Sequence, residues 1–203
     1  MPVQLEVEER RRTAILDAAG RLIAERGYHA VRIADIARLV GTSTGAVHYY
    51  FPGKNDVLTA ALSHTVDRAF ERQSVELARI DDAHQRLLKL IDMQLPTVGR
   101  VRDEWSVWMQ FWAEATIHPE LRPVHTRFYA RWQETVARIV LRGQRQGVFR
   151  ADADVDGVTR RLTALTDGVA IQVLTGAPGM TVTVMRELLV DVVRQELIAP
   201  PTR

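Results

Sequence analysis

The chain has 203 residues, of which 46% are hydrophobic, 26% charged and 6% aromatic, with no cysteine and a formal net charge of +2. These fractions are those of folded globular proteins, not of disordered, collagen-like or disulfide-stapled chains. The missing cysteine excludes thiolate catalysis, iron–sulfur clusters and Cys-based zinc sites.

Taken in chain order, helix signals run throughout and strand signals are almost absent. Ala14, Ile15, Ala18, Leu22 and Ile23 recur at helical spacing, and Gly27 stops that run. Ile33, Ile36, Ala37 and Val40 form a second, shorter stripe that ends at Gly41. The stretch Thr42-Ser43-Thr44-Gly45 is turn and cap chemistry. A third, very short segment runs from Ala46 to Phe51 and is closed by Pro52-Gly53. A longer helix begins near Asp56, and others are expected near 83–95, 101–118, 120–147, 154–176 and 181–198. The expected fold is all-α with about nine helices. No apolar run reaches the roughly 20 residues of a membrane span. The start, MPVQLEVEERRR, has no apolar core behind its charges, so a cytoplasmic chain without a secretory signal is expected.

The distribution of charge says more than its total. Residues 10–54 hold eight basic groups and three acidic ones, a balance of +5, whereas the chain from Asn55 onward carries 19 of each sign. A basic N-terminal quarter on a neutral body is the footprint of nucleic-acid binding. The composition shift near residue 55 sets the expected domain boundary, 1–54 against 55–203.

The segment Ile33–Pro52 has the spacing of a helix-turn-helix. Ala37 suits a helix crossing where only a small side chain fits. Gly41 suits the turn, where a positive φ is cheap only for glycine. Ile36, Val40, Val47 and Tyr50 supply the apolar contacts between the two helices. The second helix would then present its first turn to a major groove about 12 Å wide.

These residues resemble a known family. Residues 10–58 are similar to the DNA-binding domain of the tetracycline-repressor (TetR) family of bacterial transcriptional regulators, through TAILDAAGRLIAERGY at 13–28 and IADIARLVGTSTGAVHYYFPGKNDVL at 33–58. The later pieces WMQFWAEA, PELR, GVFR and LTALTDGVAIQVLTG are similar to the C-terminal domains of the subgroup that includes the choline-responsive betaine-pathway repressor. The resemblance implies nine helices, a homodimer, binding of a double-stranded operator by the first three helices, and release by a small-molecule effector. No cofactor is implied.

Carried over residue by residue, the resemblance places Thr42, Ser43 and Thr44 at the start of the recognition helix, within reach of phosphates. Gly45 would allow close backbone approach, Ala46 and His48 would face base edges, and Tyr49 would bond a phosphate. Lys54 would bind phosphate at a helix entry. Many relatives have threonine where this chain reads Val31-Arg32; the hydroxyl cap is gone, and Arg32 becomes a phosphate contact.

Two motifs imitate other chemistry. Gly41-Thr42-Ser43-Thr44-Gly45 matches a hydrolase nucleophile elbow, yet the residues before it have helical rather than strand periodicity. Asp152-x-Asp154-x-Asp156-Gly157 begins like a calcium loop, but Thr163 stands where a bidentate glutamate belongs. These acids read better as caps of the helix from about 154. The six histidines form no close pair, so no metal site is expected.

In the C-terminal body Trp105, Trp108, Met109 and Trp112 recur at i, i+3, i+4 and i+7, and Phe128, Tyr129 and Trp132 give a second aromatic face. Such faces are either core or pocket. The pocket reading has indole faces, with Glu114 or Asp103 nearby, holding an organic cation; Gln110, His118 and His125 are candidate polar orienters. Val158, Leu162, Leu165, Val169 and Val173, with Gly168 among them, form an apolar stripe, and Met185, Leu188, Leu189 and Val192 form its partner. They suit a monomer core, and the resemblance assigns them to a dimer surface. The rival classes are an all-α enzyme, which needs convergent acid–base or metal residues, and a helical adaptor, which needs no basic third helix.

Overall fold

A computed structural model describes residues 2–198, the first four by backbone alone. Among the described residues there are nine α-helices and no strand: α1 Pro2–Arg26, α2 Ile33–Val40, α3 Thr44–Tyr50, α4 Lys54–Ala78, α5 Ala83–Asp92, α6 Arg100–Ile117, α7 Arg122–Gln146, α8 Val155–Leu174 and α9 Val182–Leu197, with a single 3-10 turn at Pro119–Leu121. The all-α expectation is met. No described helix is long and apolar enough to cross a membrane.

The chain forms two compact units, 1–70 with 103–125 and 71–102 with 126–203. In the first, α1 packs on α2 and α2 on α3. Ile15, Leu16, Ile23, Ile36, Val47, Leu58 and Leu62 are its buried centre, joined by Phe111 of α6. In the second, α9 packs on both α8 and α5. Leu87, Leu90, Val140, Leu162, Met185 and Leu189 form its buried centre.

The helix boundaries follow from local chemistry. Asp82, Asp154 and Thr181 cap α5, α8 and α9 by accepting the backbone N–H of Gln85, Gly157 and Val184. Each satisfies a donor that the first helical turn leaves orphaned. Asp154 thus caps a helix, as its sequence context indicated, while Asp152 pairs with Arg150. Arg32 precedes α2 without a side-chain cap. At the far end of α2, Gly41 adopts φ 74° and the Thr42 N–H reaches back to the Ala37 carbonyl at 2.9 Å. That closure needs a left-handed residue, which glycine supplies without a Cβ penalty.

The stripe residues of α8 and α9 divide into two sets by burial within the single chain. Val158, Leu162, Val169, Met185 and Leu189 are buried within the single chain. Where α8 and α9 face each other they form an intrachain seam. Leu188 is exposed, and Leu165, Val173 and Val192 are half-buried; these four keep apolar surface outside the seam.

Candidate nucleic-acid interface and ligand site

The turn between α2 and α3 is built so that one face of α3 is buried and the other is bare. Val47 is fully buried and Ala37 nearly so, which fixes the crossing of the two helices. Thr42, Ser43, Thr44, Gly45, His48 and Tyr49 are all exposed, Tyr49 by 74%, and Ala46 is half-buried. An exposed tyrosine of this size, edge-on to Tyr50 at 5.1 Å, has its hydroxyl in solvent. Phe51 turns inward and is buried beneath the Arg12 guanidinium, 5.6 Å from the ring centre.

Several of these side chains already have a task. Ser43 Oγ accepts the Ala46 N–H at 3.1 Å and caps α3. His48 Nδ1 lies 3.2 Å from the Pro52 carbonyl, and a carbonyl only accepts, so Nδ1 carries the proton. In the neutral ring Nε2 is then an acceptor, suited to the exocyclic amino group of adenine or cytosine. Lys54 Nζ donates to the His29 carbonyl at 2.8 Å, which holds the ammonium at the α4 entry with donors to spare.

The basic excess of residues 10–54 narrows in the same way. Arg10, Arg12 and Arg21 pair with Glu6, Glu9 and Glu25, while Arg26 and Arg38 share Asp35. Arg11, Arg32 and Lys54 have no carboxylate partner among the described residues. Two of these three, Arg32 and Lys54, flank the helix-turn-helix.

The aromatic face of α6 is divided. Trp105 is buried, Trp108 and Met109 are half-buried, and Trp112 is 46% exposed. Trp108 stacks parallel on His125, with ring centres 5.6 Å apart and planes 2° apart. Burial pushes the His125 imidazole below its usual pKa, which favours the neutral form of the stacked ring. Glu114 is buried; its Oε1 meets His29 Nε2 at 2.9 Å, whereas Oε2 lies 3.5 Å from His118 Nε2 and has no hydrogen-bond partner among the described residues. One carboxylate oxygen thus has an imidazole partner and the other is unsatisfied, whereas Asp103 stands exposed.

In the other unit, Phe128 is buried while Tyr129 and Trp132 are half-buried. The Tyr129 hydroxyl donates to Asp167 Oδ2 at 2.5 Å, and the Trp132 indole N–H donates to Thr163 Oγ1 at 3.1 Å. Burial raises the Asp167 carboxyl pKa above its ordinary value, and the Tyr129 hydrogen bond opposes the shift in part. Sequence reading missed both Asp167 and His29. Thr159, Thr163, Thr166 and Asp167 form a polar stripe at helical spacing on an otherwise apolar α8, and that stripe was the available signal. No cluster of metal-ligating side chains occurs among the described residues.

The family model for the C-terminal region of BetI-type transcriptional repressors matches residues 83–198, and that for bacterial regulatory proteins of the tetR family matches 15–61. The chain belongs to the tetR family. The HTH-type transcriptional regulator BetI of Brucella canis is 27% identical over 128 residues, 63% of this tetR-family chain and 64% of that relative's length. The HTH-type transcriptional regulator PksA of Bacillus subtilis is 26% identical over 175 residues, covering 86% of this chain and 83% of the relative. Among solved structures, a transcriptional regulator from Saccharomonospora viridis in complex with choline is 49% identical. It superposes with a TM-score of 0.88 over 95% of this chain and 100% of that one. The tetR-type match falls on the helix-turn-helix, and the BetI-type match spans α5 to α9.

Proposed function

We propose that this chain is a ligand-responsive transcriptional regulator of the cytoplasm. It would act as a repressor that binds a pseudo-palindromic operator as a homodimer and leaves it when a small organic cation binds the C-terminal domain. The observation that carries this reading is the glycine-closed α2–α3 turn with the bare face of Thr42 to Tyr49, in a tetR-type head that precedes a BetI-type C-terminal region. Residues 1–54 are assigned to operator reading, and residues 55–203 to sensing and dimerisation. The choline bound to the Saccharomonospora viridis relative supports a choline-class effector.

In this reading Thr42, Ser43, Thr44 and Gly45 lie against the phosphates at the α3 N-terminus, where orphan N–H groups and the helix dipole favour anions. Ala46 and the His48 Nε2 acceptor meet base edges, while Arg32, Tyr49 and Lys54 position the head on the backbone. Phosphate contacts fix register and base contacts give sequence. Leu165, Val173, Leu188 and Val192 contribute to the second-subunit surface, and a two-fold dimer places two α3 helices on successive major grooves. The effector releases DNA only if it binds better to a head spacing that misses the operator.

Gel shift on the DNA upstream of the chain's own gene, with and without choline, tests the reading. Lys54→Ala is expected to weaken binding to all sequences alike and to lower the salt-dependence slope by about one. Substitution of His48 or Thr44 is expected to change which operator is preferred. Equal loss on cognate and random DNA for all three variants overturns this division of labour. Absence of any shift with wild type overturns the regulator itself.

A further inference from the structure

We propose that Asp167 is the counter-ion for a quaternary ammonium group, held on the α7–α8 face beside Tyr129 and Trp132. This deepens the regulator reading and rests on it for the role of the ligand.

Asp167 carries an uncompensated charge. Asp167 sits on α8, half-buried, and its partner is the Tyr129 hydroxyl at 2.5 Å. No Lys, Arg or His pairs with it among the described residues. A phenol stabilises a carboxylate by one hydrogen bond but neutralises nothing. A carboxylate withdrawn from water without a cation is costly to keep, and burial indeed raises its pKa. A folded protein keeps such a group where function requires the charge.

The neighbours specify the missing cation. Tyr129 and Trp132 stand at i and i+3 on α7, and both are tied by their polar edges to α8, the phenol at Asp167 and the indole at Thr163 one turn earlier. Thr163 is itself fixed by its bond to the Thr159 carbonyl at 2.7 Å. Two oriented aromatic rings beside one carboxylate offer charge and π-faces, and no ring of oxygen ligands. A metal ion needs several oxygens in place of its hydration shell. A primary ammonium needs acceptors for three N–H donors. A methylated ammonium has no N–H at all and binds through charge and aromatic faces. An anion would be repelled, and a neutral ligand would leave Asp167 unpaired.

The test is calorimetric titration of the full chain with choline and with 3,3-dimethylbutan-1-ol, which carries carbon in place of the ammonium nitrogen. Wild type is expected to prefer choline by roughly 30-fold or more, the cost of unpairing a half-buried charge. Asp167→Asn is expected to abolish that preference and leave the alcohol's affinity within about threefold. Tyr129→Phe keeps the charge and is expected to retain the preference. Choline affinity of wild type should rise with pH as the raised Asp167 carboxyl ionises, and Asp167→Asn should lack this pH dependence. Preference retained in Asp167→Asn, or choline binding no better than the alcohol in wild type, overturns the proposal. Operator binding measured on the same preparations separates the two readings. Lost discrimination with intact DNA binding removes the cation site alone, and absent DNA binding with Asp167-dependent discrimination removes the regulator reading alone.

Discussion

Gly143→Ala is expected to lower the free energy of unfolding by about 2–3 kcal/mol. Gly143 lies buried in α7, and a Cβ built there would stand 1.9 Å from Cδ2 and 2.5 Å from Cε2 of Phe149. The ring cannot simply swing away. Phe149 is itself buried, edge-on to His84, and its own N–H, like that of Val148, bonds back to the Gly143 carbonyl. The methyl group would therefore push a ring whose backbone is tied to the mutated residue. Helix propensity works the other way, since alanine is better than glycine in a helix interior by up to about 1 kcal/mol. The overlap is expected to exceed that gain. Gly168 of α8 provides the matched control, because nothing lies within 4 Å of its hypothetical Cβ. Gly168→Ala should raise stability by about 0.5–1 kcal/mol. Denaturant unfolding of the two variants beside wild type checks both signs. A fall at Gly168 would instead mean that a second copy of the chain covers it.

The contrast between these glycines shows what was legible in the sequence. Gly41 and the cap at Asp154 act through their own backbone neighbours, so residue type and spacing sufficed to read them. The same holds for the helix order and for the buried positions Ala37 and Val47. A stripe of apolar residues at helical spacing announces a buried face but not what buries it. That is why Val158, Leu162, Val169, Met185 and Leu189 suit either a monomer core or a dimer surface in the sequence; within the single chain they are buried. Gly143 resembles any other helical glycine until the Phe149 ring is seen above it. Charge pairings across long separations are illegible for the same reason. Glu114 was read as a ligand-facing acid, and its partner His29 lies 85 positions earlier. The polar stripe of α8 marks Asp167 in the sequence, but its lack of a cation partner shows only in its surroundings.

The pairing at Glu114 gives the second large expectation. The double variant His29→Ala/His118→Ala should lose about 2–3 kcal/mol of stability, and Glu114→Gln added to it should restore most of that loss. Glu114 is only 3% exposed, and its two oxygens face His29 and His118 respectively. Removing both imidazoles takes away the one donor to Oε1 and the His118 ring that lies 3.5 Å from Oε2; losing the partner of a well-buried charge costs about 3–5 kcal/mol. The expected loss is smaller because the His29 side chain is 78% exposed, so water replaces part of what it gives. Rescue by glutamine distinguishes this account from lost packing, since the amide removes the charge and keeps the shape. The same residues hold the loop that follows α1. Gln110 Oε1 accepts the Tyr28 N–H at 3.3 Å, Glu114 holds the His29 ring, and Lys54 holds the His29 carbonyl. One dipeptide, Tyr28-His29, is thus gripped by two residues a turn apart on α6 and by the first residue of α4. Amide exchange at Tyr28 should accelerate in the double histidine variant and more so when Gln110→Ala is added, while exchange in the α8–α9 seam stays as in wild type. Unchanged exchange at Tyr28 would show that α6 does not restrain this loop.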